Sequence, residues 1–412
     1  MSTQETKLKA IADAIREKDG TAAPILANDF AERIRAIPTG GSLPDDVHVI
    51  TLTADPPEGG TVSGGGLASD GMTLTINAEP NKADNYYFDG WKENGAAVQV
   101  EPTYTFPVSA DRNLIAAFLQ SQYEAGVDWW ESTFPSSAHW QSVTYGDGKF
   151  VAVATDSNKA AYSTDGITWT PVTLPSSARW ASVTYGDGKF VAVATDSNKA
   201  AYSTDGITWT PVTLPSSAHW QSVTYGGRKF VAISWAQNQV ISSADGITWT
   251  PSTLPSSARW ASVTYGDGKF VAVADVSTQA TYSTDGIIWG SATLPSYSNW
   301  RSVTYGDGKF VATANYGDKA AYSTDGITWT PSTLPSSAHW ASITYGDGKF
   351  VAVSTSNSDK AAYSSDGITW TAATLPASAY WNSVTYGGGK FVAVSTSNSD
   401  KAAYSSAKGP GK

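Results

Sequence analysis

The chain has no cysteine in 412 residues, which removes disulfides, thiolate metal sites and thiol nucleophiles together. Charge is also scarce. Asp, Glu, Lys and Arg make up 16% of the sequence, against roughly 25% in an average soluble protein, and no glutamate occurs between Trp140 and Lys412. Residues 1–120 hold 9 Lys+Arg and 17 Asp+Glu, a balance of −8, while residues 121–412 hold 18 and 20, a balance of −2. With no basic footprint anywhere, neither nucleic acid nor a membrane surface is an expected partner. No apolar run is long enough to cross a bilayer, and the start Met1-Ser2-Thr3-Gln4 lacks the apolar stretch of a secretory signal. Synthesis in a host cytoplasm without a signal peptide is therefore expected, with any outside role reached by lysis or on an assembled particle.

Tryptophan is abundant instead. Sixteen of the 17 lie after residue 120, Trp91 being the exception. Trp140, Trp180, Trp220, Trp260, Trp300, Trp340 and Trp381 each open one phrase, W-x-S-[VI]-T-Y-G-x-x-K-F-V-A, at intervals of 40 residues and finally 41. Ser142–Ala178 and Ser182–Ala218 are identical over 37 residues. Within a repeat the pattern is β throughout. Trp140–Gly146 alternates apolar and polar residues, Asp147-Gly148 is a two-residue hairpin turn, and Lys149–Thr155 is a second strand. Asp156-Ser157-Asn158 reads as a turn, Lys159–Ser163 as a third strand and Ile167–Thr173 as a fourth, with Pro175-Ser176-Ser177 as a connection. Four strands per 40 residues, seven times, predict a β-propeller of seven blades. The last repeat ends at Tyr404-Ser405-Ser406 without its fourth strand, and Gly126–Pro135 supplies a matching one upstream. A ring closed by strand exchange is the expectation.

Ser163-Thr164-Asp165-Gly166-Ile167-Thr168-Trp169 resembles the Asp-box of sialidase-type propellers, with one residue fewer between Asp and Trp. The resemblance implies a structural turn at Asp165, Asp205, Asp245, Asp285, Asp325 and Asp366, and Ala125 breaks the motif at the seam. Upstream, Ser2 and Glu5 suit a capping box, and Leu8, Ile11 and Ile15 mark a helical face. Lys7–Arg16 resembles N-terminal attachment segments of phage tail proteins. Ala54–Val62, Phe88-Asp89-Gly90-Trp91, Tyr104-Thr105-Phe106 and Leu114–Phe118 resemble the internalin-type B repeat, which implies a small β-grasp-like spacer with Trp91 in its core. The expected fold class is mostly β: a seven-bladed β-propeller preceded by a β-grasp-like module and a short N-terminal helical segment. The expected divisions are a helical attachment segment at 1–38, a linker at 39–46, the β module at 47–119 and a linker at 120–125. The propeller then spans 126–406, closed by strand 126–134, with a tail at 407–412.

The turns between strands one and two, and three and four, are nearly invariant among the repeats. The two-to-three turn and the repeat-to-repeat connection vary, which is the pattern of a scaffold face opposite a binding face. Candidate ligand-binding residues are Trp235, Gln237, Tyr297, Asn299, Arg301, Tyr316, Arg259, His219 and Tyr380, aromatic planes among hydrogen-bonding groups as sugar recognition requires. His139, His219 and His339 share a repeat position but belong to non-adjacent repeats, too far apart for one ion, so no metal and no cofactor is expected. Two carboxylates facing across a scissile bond are not evident, and no catalytic residue is assigned; the chain is expected not to be an enzyme. These readings combine into a receptor-binding protein or adhesin of a virion tail, extracellular in use. Its propeller would recognise a bacterial cell-surface polysaccharide or protein, its N-terminal segment would join other phage tail proteins, and a homo-oligomer is compatible. The competing readings are a structural tail decoration or spacer without a ligand, and a sialidase-like glycoside hydrolase.

Overall fold

The computed structural model describes residues 46–84, 86–397 and 399–410. The expected attachment segment at 1–38 and most of the first linker lie outside the described residues. The chain divides into two compact units, one ending at Gln122 and the other beginning at Tyr123. Both are β-structured, and among the described residues only two short 3-10 turns, Pro57–Gly59 and Lys82–Asp84, are helical.

The first unit holds two sheets around one core. In the five-stranded sheet Val47–Asp55 runs parallel to Arg112–Gln120, and Gly66–Ser69, Tyr86–Glu93 and Ala96–Gln99 complete it. Gly60–Ser63, Thr73–Pro80 and Thr103–Pro107 form a second, antiparallel sheet. Ile76 and Phe106 of the small sheet meet Ile50, Phe88, Trp91, Leu114 and Phe118 of the large one. Trp91 is fully buried, and its indole N–H donates to Pro102 O at 3.0 Å, so the ring is a satisfied core residue.

The second unit is built from the repeats. Each of the first six contributes four antiparallel strands and the last contributes three; in the first these are the C-terminal half of Trp130–Gly146, then Lys149–Thr155, Ser157–Ser163 and the N-terminal half of Thr170–Gly186. Asp147 and Gly148 adopt φ of 46° and 70°, the left-handed pair of a tight hairpin. Two strand limits differ from the sequence reading. The third strand begins at Ser157, because only Asp156 is needed to turn the chain (φ 56°) and Ser157 already pairs with Ala178. The fourth begins at Thr170 instead of Ile167, because Ser163–Trp169 is occupied by the Asp-box turn. It then continues through Pro175-Ser176-Ser177 into the next repeat, where a connection was expected.

Packing between repeats uses the same atoms each time. The seven first-strand Trp residues are 0–1% exposed, and Trp129, Trp169, Trp209, Trp249, Trp289, Trp329 and Trp370 at the fourth-strand position are 6–8% exposed. Neighbouring first strands are linked by one serine hydroxyl each. Val183 N–H donates to Ser142 Oγ, Val223 to Ser182, Val263 to Ser222, Val303 to Ser262, Ile343 to Ser302, Val384 to Ser342, and Val143 back to Ser383, at 3.1–3.2 Å. The last of these bonds joins the final repeat to the first. At the seam Ser399–Ser406 pairs antiparallel with the strand starting at Trp130, with Tyr404 opposite Trp130 and Lys401 opposite Thr133.

Candidate functional site

The six boxes share one geometry. Ser203 Oγ donates to Asp205 Oδ1 at 2.8 Å, Gly206 N–H donates to Ser203 Oγ, and the N–H groups of Ile207 and Thr208 both donate to Asp205 Oδ1 at 2.8 Å. The same set recurs at Asp165, Asp245, Asp285, Asp325 and Asp366. Burial opposes the Asp205 carboxylate, but the Thr208 and Ile207 N–H groups and the Ser203 hydroxyl outweigh it, bringing its pKa down to about 2, and Asp325 behaves alike. These carboxylates are committed to turns. The seam, where Ala125 replaces Asp, rebuilds the box from both chain ends: Gly126 N–H donates to Ser405 Oγ at 2.7 Å, and Ser405 O–H donates to Asp128 O. Ser405 is a residue the sequence reading passed over, although it aligns with the box serines.

At the opposite ends of the first strands each repeat carries a β-bulge. Trp300 pairs with Ala314 and Ser302 with Thr313, so Arg301 is left as the extra residue. The equivalent residues are Gln141, Ala181, Gln221, Ala261, Ala341 and Asn382. A bulge re-aims its extra side chain away from the ladder, and here it does so beside the two-to-three turns. Ala181, Ala261 and Ala341 are buried there, whereas Gln141, Gln221, Arg301 and Asn382 keep partial exposure. Asn382 Nδ2 donates to Gln141 O at 2.8 Å.

Arg301 gathers the most distinctive residues of this face. Its guanidinium lies 5.6 Å from the ring centroid of Trp235, which stands in the two-to-three turn of the third repeat. Asp275 and Tyr316 are close enough to act on it electrostatically; burial pushes its pKa below the usual arginine range, and Asp275 and Tyr316 pull it back. Tyr316 is 62% exposed, with φ 61°, and its ring lies 4.2 Å from that of His339 at an angle of 58°. The structure thus brings Trp235, Arg301 and Tyr316 together and adds Asp275 and His339, neither of them among the expected ligand-binding residues. Asp275 stands where the first two repeats have Thr155 and Thr195, a departure the alignment of repeats contains.

The remaining candidates are placed differently. His219 accepts the Trp235 N–H with its backbone carbonyl at 2.8 Å and puts its ring Nε2 2.7 Å from Asp196, which also binds Arg179 at 2.6 Å. Gln237 is exposed at the turn apex, with φ 74°. Tyr297 is 63% exposed, and its carbonyl accepts from Lys319 Nζ. Asn299 and Arg259 pair in the ladders with Asn315 and Asp275. Tyr380 is 43% exposed, its carbonyl accepting Thr396 N–H. The three repeat histidines have separate partners, since His139 Nδ1 meets Thr396 O.

A β-propeller-like repeat fold with strand-rich blades is the class these elements define, behind a B-repeat-like module. The family model for the divergent InlB B-repeat domain matches residues 50–122. No curated protein matches the chain. Among solved structures it is similar to virginiamycin B lyase from Staphylococcus aureus, at 17% identity over 68% of this chain and 99% of that one, TM-score 0.62. A streptogramin B lyase matches at 14% identity over 67% and 96%, TM-score 0.61. YCF48, solved bound to D1 peptide, matches at 15% identity over 68% and 96%, TM-score 0.56. At such identities the likeness is one of fold. It also corrects the expectation that the chain is not an enzyme: two of these proteins are lyases, so the fold accommodates catalysis. A carboxylate-pair criterion taken from glycoside hydrolysis excludes only that chemistry.

Proposed function

We propose that the chain is a phage tail-associated receptor-binding protein or adhesin, whose repeats close into a seven-bladed propeller and engage a bacterial cell-surface polysaccharide or protein through the variable face. The cycle of seven serine hydrogen bonds and the Trp130–Tyr404 seam support closure. The observation that carries the binding role is the Trp235, Arg301 and Tyr316 cluster. It arises in repeats three to five, where the repeat phrase departs most from its consensus, while the Asp-Gly turns on the opposite face stay constant. Partly exposed aromatic rings beside a guanidinium suit stacking and hydrogen bonding to sugars or to a protein loop. In this reading residues 1–38 attach the chain to other tail proteins, the B-repeat-like module is the spacer, and the assembled protein is extracellular on the virion.

Binding of the full chain to purified bacterial envelope, measured beside W235A and Y316A, tests this. The expected result is saturable binding by the parent and at least about tenfold weaker binding by each variant, with melting temperatures within a few degrees of the parent. Binding by neither the parent nor the variants favours a tail decoration without a ligand. Undiminished binding by the variants moves the site off this face.

A further inference from the structure

Seven equivalent bulges project side chains at one end of the first strands, and six of the seven carry Ala, Gln or Asn. Arg301 is the one cation of the set. Among the described residues its guanidinium has a ring contact with Trp235 and electrostatic neighbours in Asp275 and Tyr316, and it makes no ion pair within 4 Å. The Trp235 ring is 5.6 Å from the guanidinium carbon, and a cation held over an aromatic ring still has its planar fork of N–H donors for an acceptor. A guanidinium edge pairs best with a planar carboxylate, which accepts two parallel hydrogen bonds. The nearby Asp275 limits the local positive potential, so a single carboxylate suits the site better than a doubly charged phosphate. The half-buried Trp235 lies against the guanidinium, and the exposed Tyr316 is close enough to act on it electrostatically; such aromatic planes suit the apolar face of a sugar ring.

We propose that this site takes a uronic acid residue of an acidic polysaccharide, with the carboxylate on the edge of Arg301 and the sugar ring against Trp235 and Tyr316. The assignment rests on the reading of the variable face as a binding surface and narrows it to one chemical class. The equivalent bulge residue of repeat four is the small, buried Ala261.

Isothermal titration of the full chain with oligogalacturonate and oligoglucuronate, and with the carboxyl-reduced form of each, tests the proposal. The expected result is binding of at least one uronate series, with roughly tenfold or greater loss on carboxyl reduction, the scale of a hydrogen bond to a charged group. R301Q introduces the residue found naturally at bulges 141 and 221, so it suits the fold, and it should lose uronate affinity by a similar factor. In R301Q the acidic and reduced oligomers should bind alike. Equal binding of acidic and reduced forms by the parent, undiminished uronate binding by R301Q, or no binding of either uronate series overturns the assignment. Envelope binding that W235A weakens and R301Q leaves unchanged would overturn the carboxylate while leaving the variable face as the binding surface. Envelope binding indifferent to both variants would remove that surface as well.

Discussion

Gly186 closes the first strand of the second repeat, and a Cβ there would lie 1.9 Å from Cγ of Tyr225 in the third. The same near-contact joins Gly146 to Tyr185 and, across the seam, Gly387 to Tyr145. This glycine is required by the approach of the neighbouring repeat, whereas Gly148 two residues after Gly146 is required by its φ of 70°. G186A should therefore destabilise the protein by about 1–3 kcal/mol, the usual cost of overpacking, read as a lower denaturant midpoint. An unchanged midpoint would mean that the Tyr225 ring moves aside freely. The box aspartates give a second test. Asp205 has a folded pKa of about 2, below the roughly 3.9 of an unfolded chain. Its contribution is therefore complete above pH 4 and is lost as pH falls through 2. D205N should lower stability at neutral pH and flatten the stability profile between about pH 4 and 2. A variant profile as steep as the parent's would show that this carboxylate does not differ between folded and unfolded states.

At the scale of strands, the seam depends on a segment far from its partner in sequence. Trp130–Gly146 gives its first half to the last repeat and its second half to the first. Phe134 within it stacks on Trp140 at 3.9 Å, at the position where other repeats have leucine. Removing Val127–Phe134 leaves the edge of Ser399–Ser406 unpaired and takes two aromatic side chains besides Trp129 out of contact with Trp140 and Tyr404. An aromatic side chain buries on the order of 200 Å², an upper bound of about 5 kcal/mol each, whereas a box hydrogen bond nets about 1 kcal/mol. The deletion should thus cost far more than losing one box hydrogen bond, appearing as a large fall in melting temperature or as aggregation through the open edge. Parental melting would refute closure by this strand. The strand pattern and the hairpin turns were legible because alternation and Asp-Gly carry local chemistry. The fourth strand was misjudged at both ends because its start is set by side-chain bonds to a serine three residues before the box glycine. Its continuation past Pro175 is set by pairing of Ser157 with Ala178, and neither is a property of the local run.

For the whole molecule, recurrence does most of the work. One 40-residue phrase, repeated, dictates where strands, turns and buried Trp residues fall, because each repeat faces the same neighbours and meets the same packing demand. That made the propeller-like class readable from residues alone. The B-repeat-like module was readable for a similar reason, since its aromatic and glycine positions are spaced by the sheet they fill. The non-enzyme reading failed because catalysis depends on particular groups meeting in space, and a missing carboxylate pair speaks for one reaction class only. Sequence by itself determined the repeat, its turns and which face varies, since these follow from local periodicity and from comparing copies within the chain. Tertiary structure alone decided that Arg301 is a bulged residue, that it reaches Trp235 of a non-adjacent repeat, and that Tyr316 meets His339. It also decided that Ser405 completes a box begun at Gly126. Each of these depends on strand register or on distances between residues far apart along the chain, which no local spacing encodes.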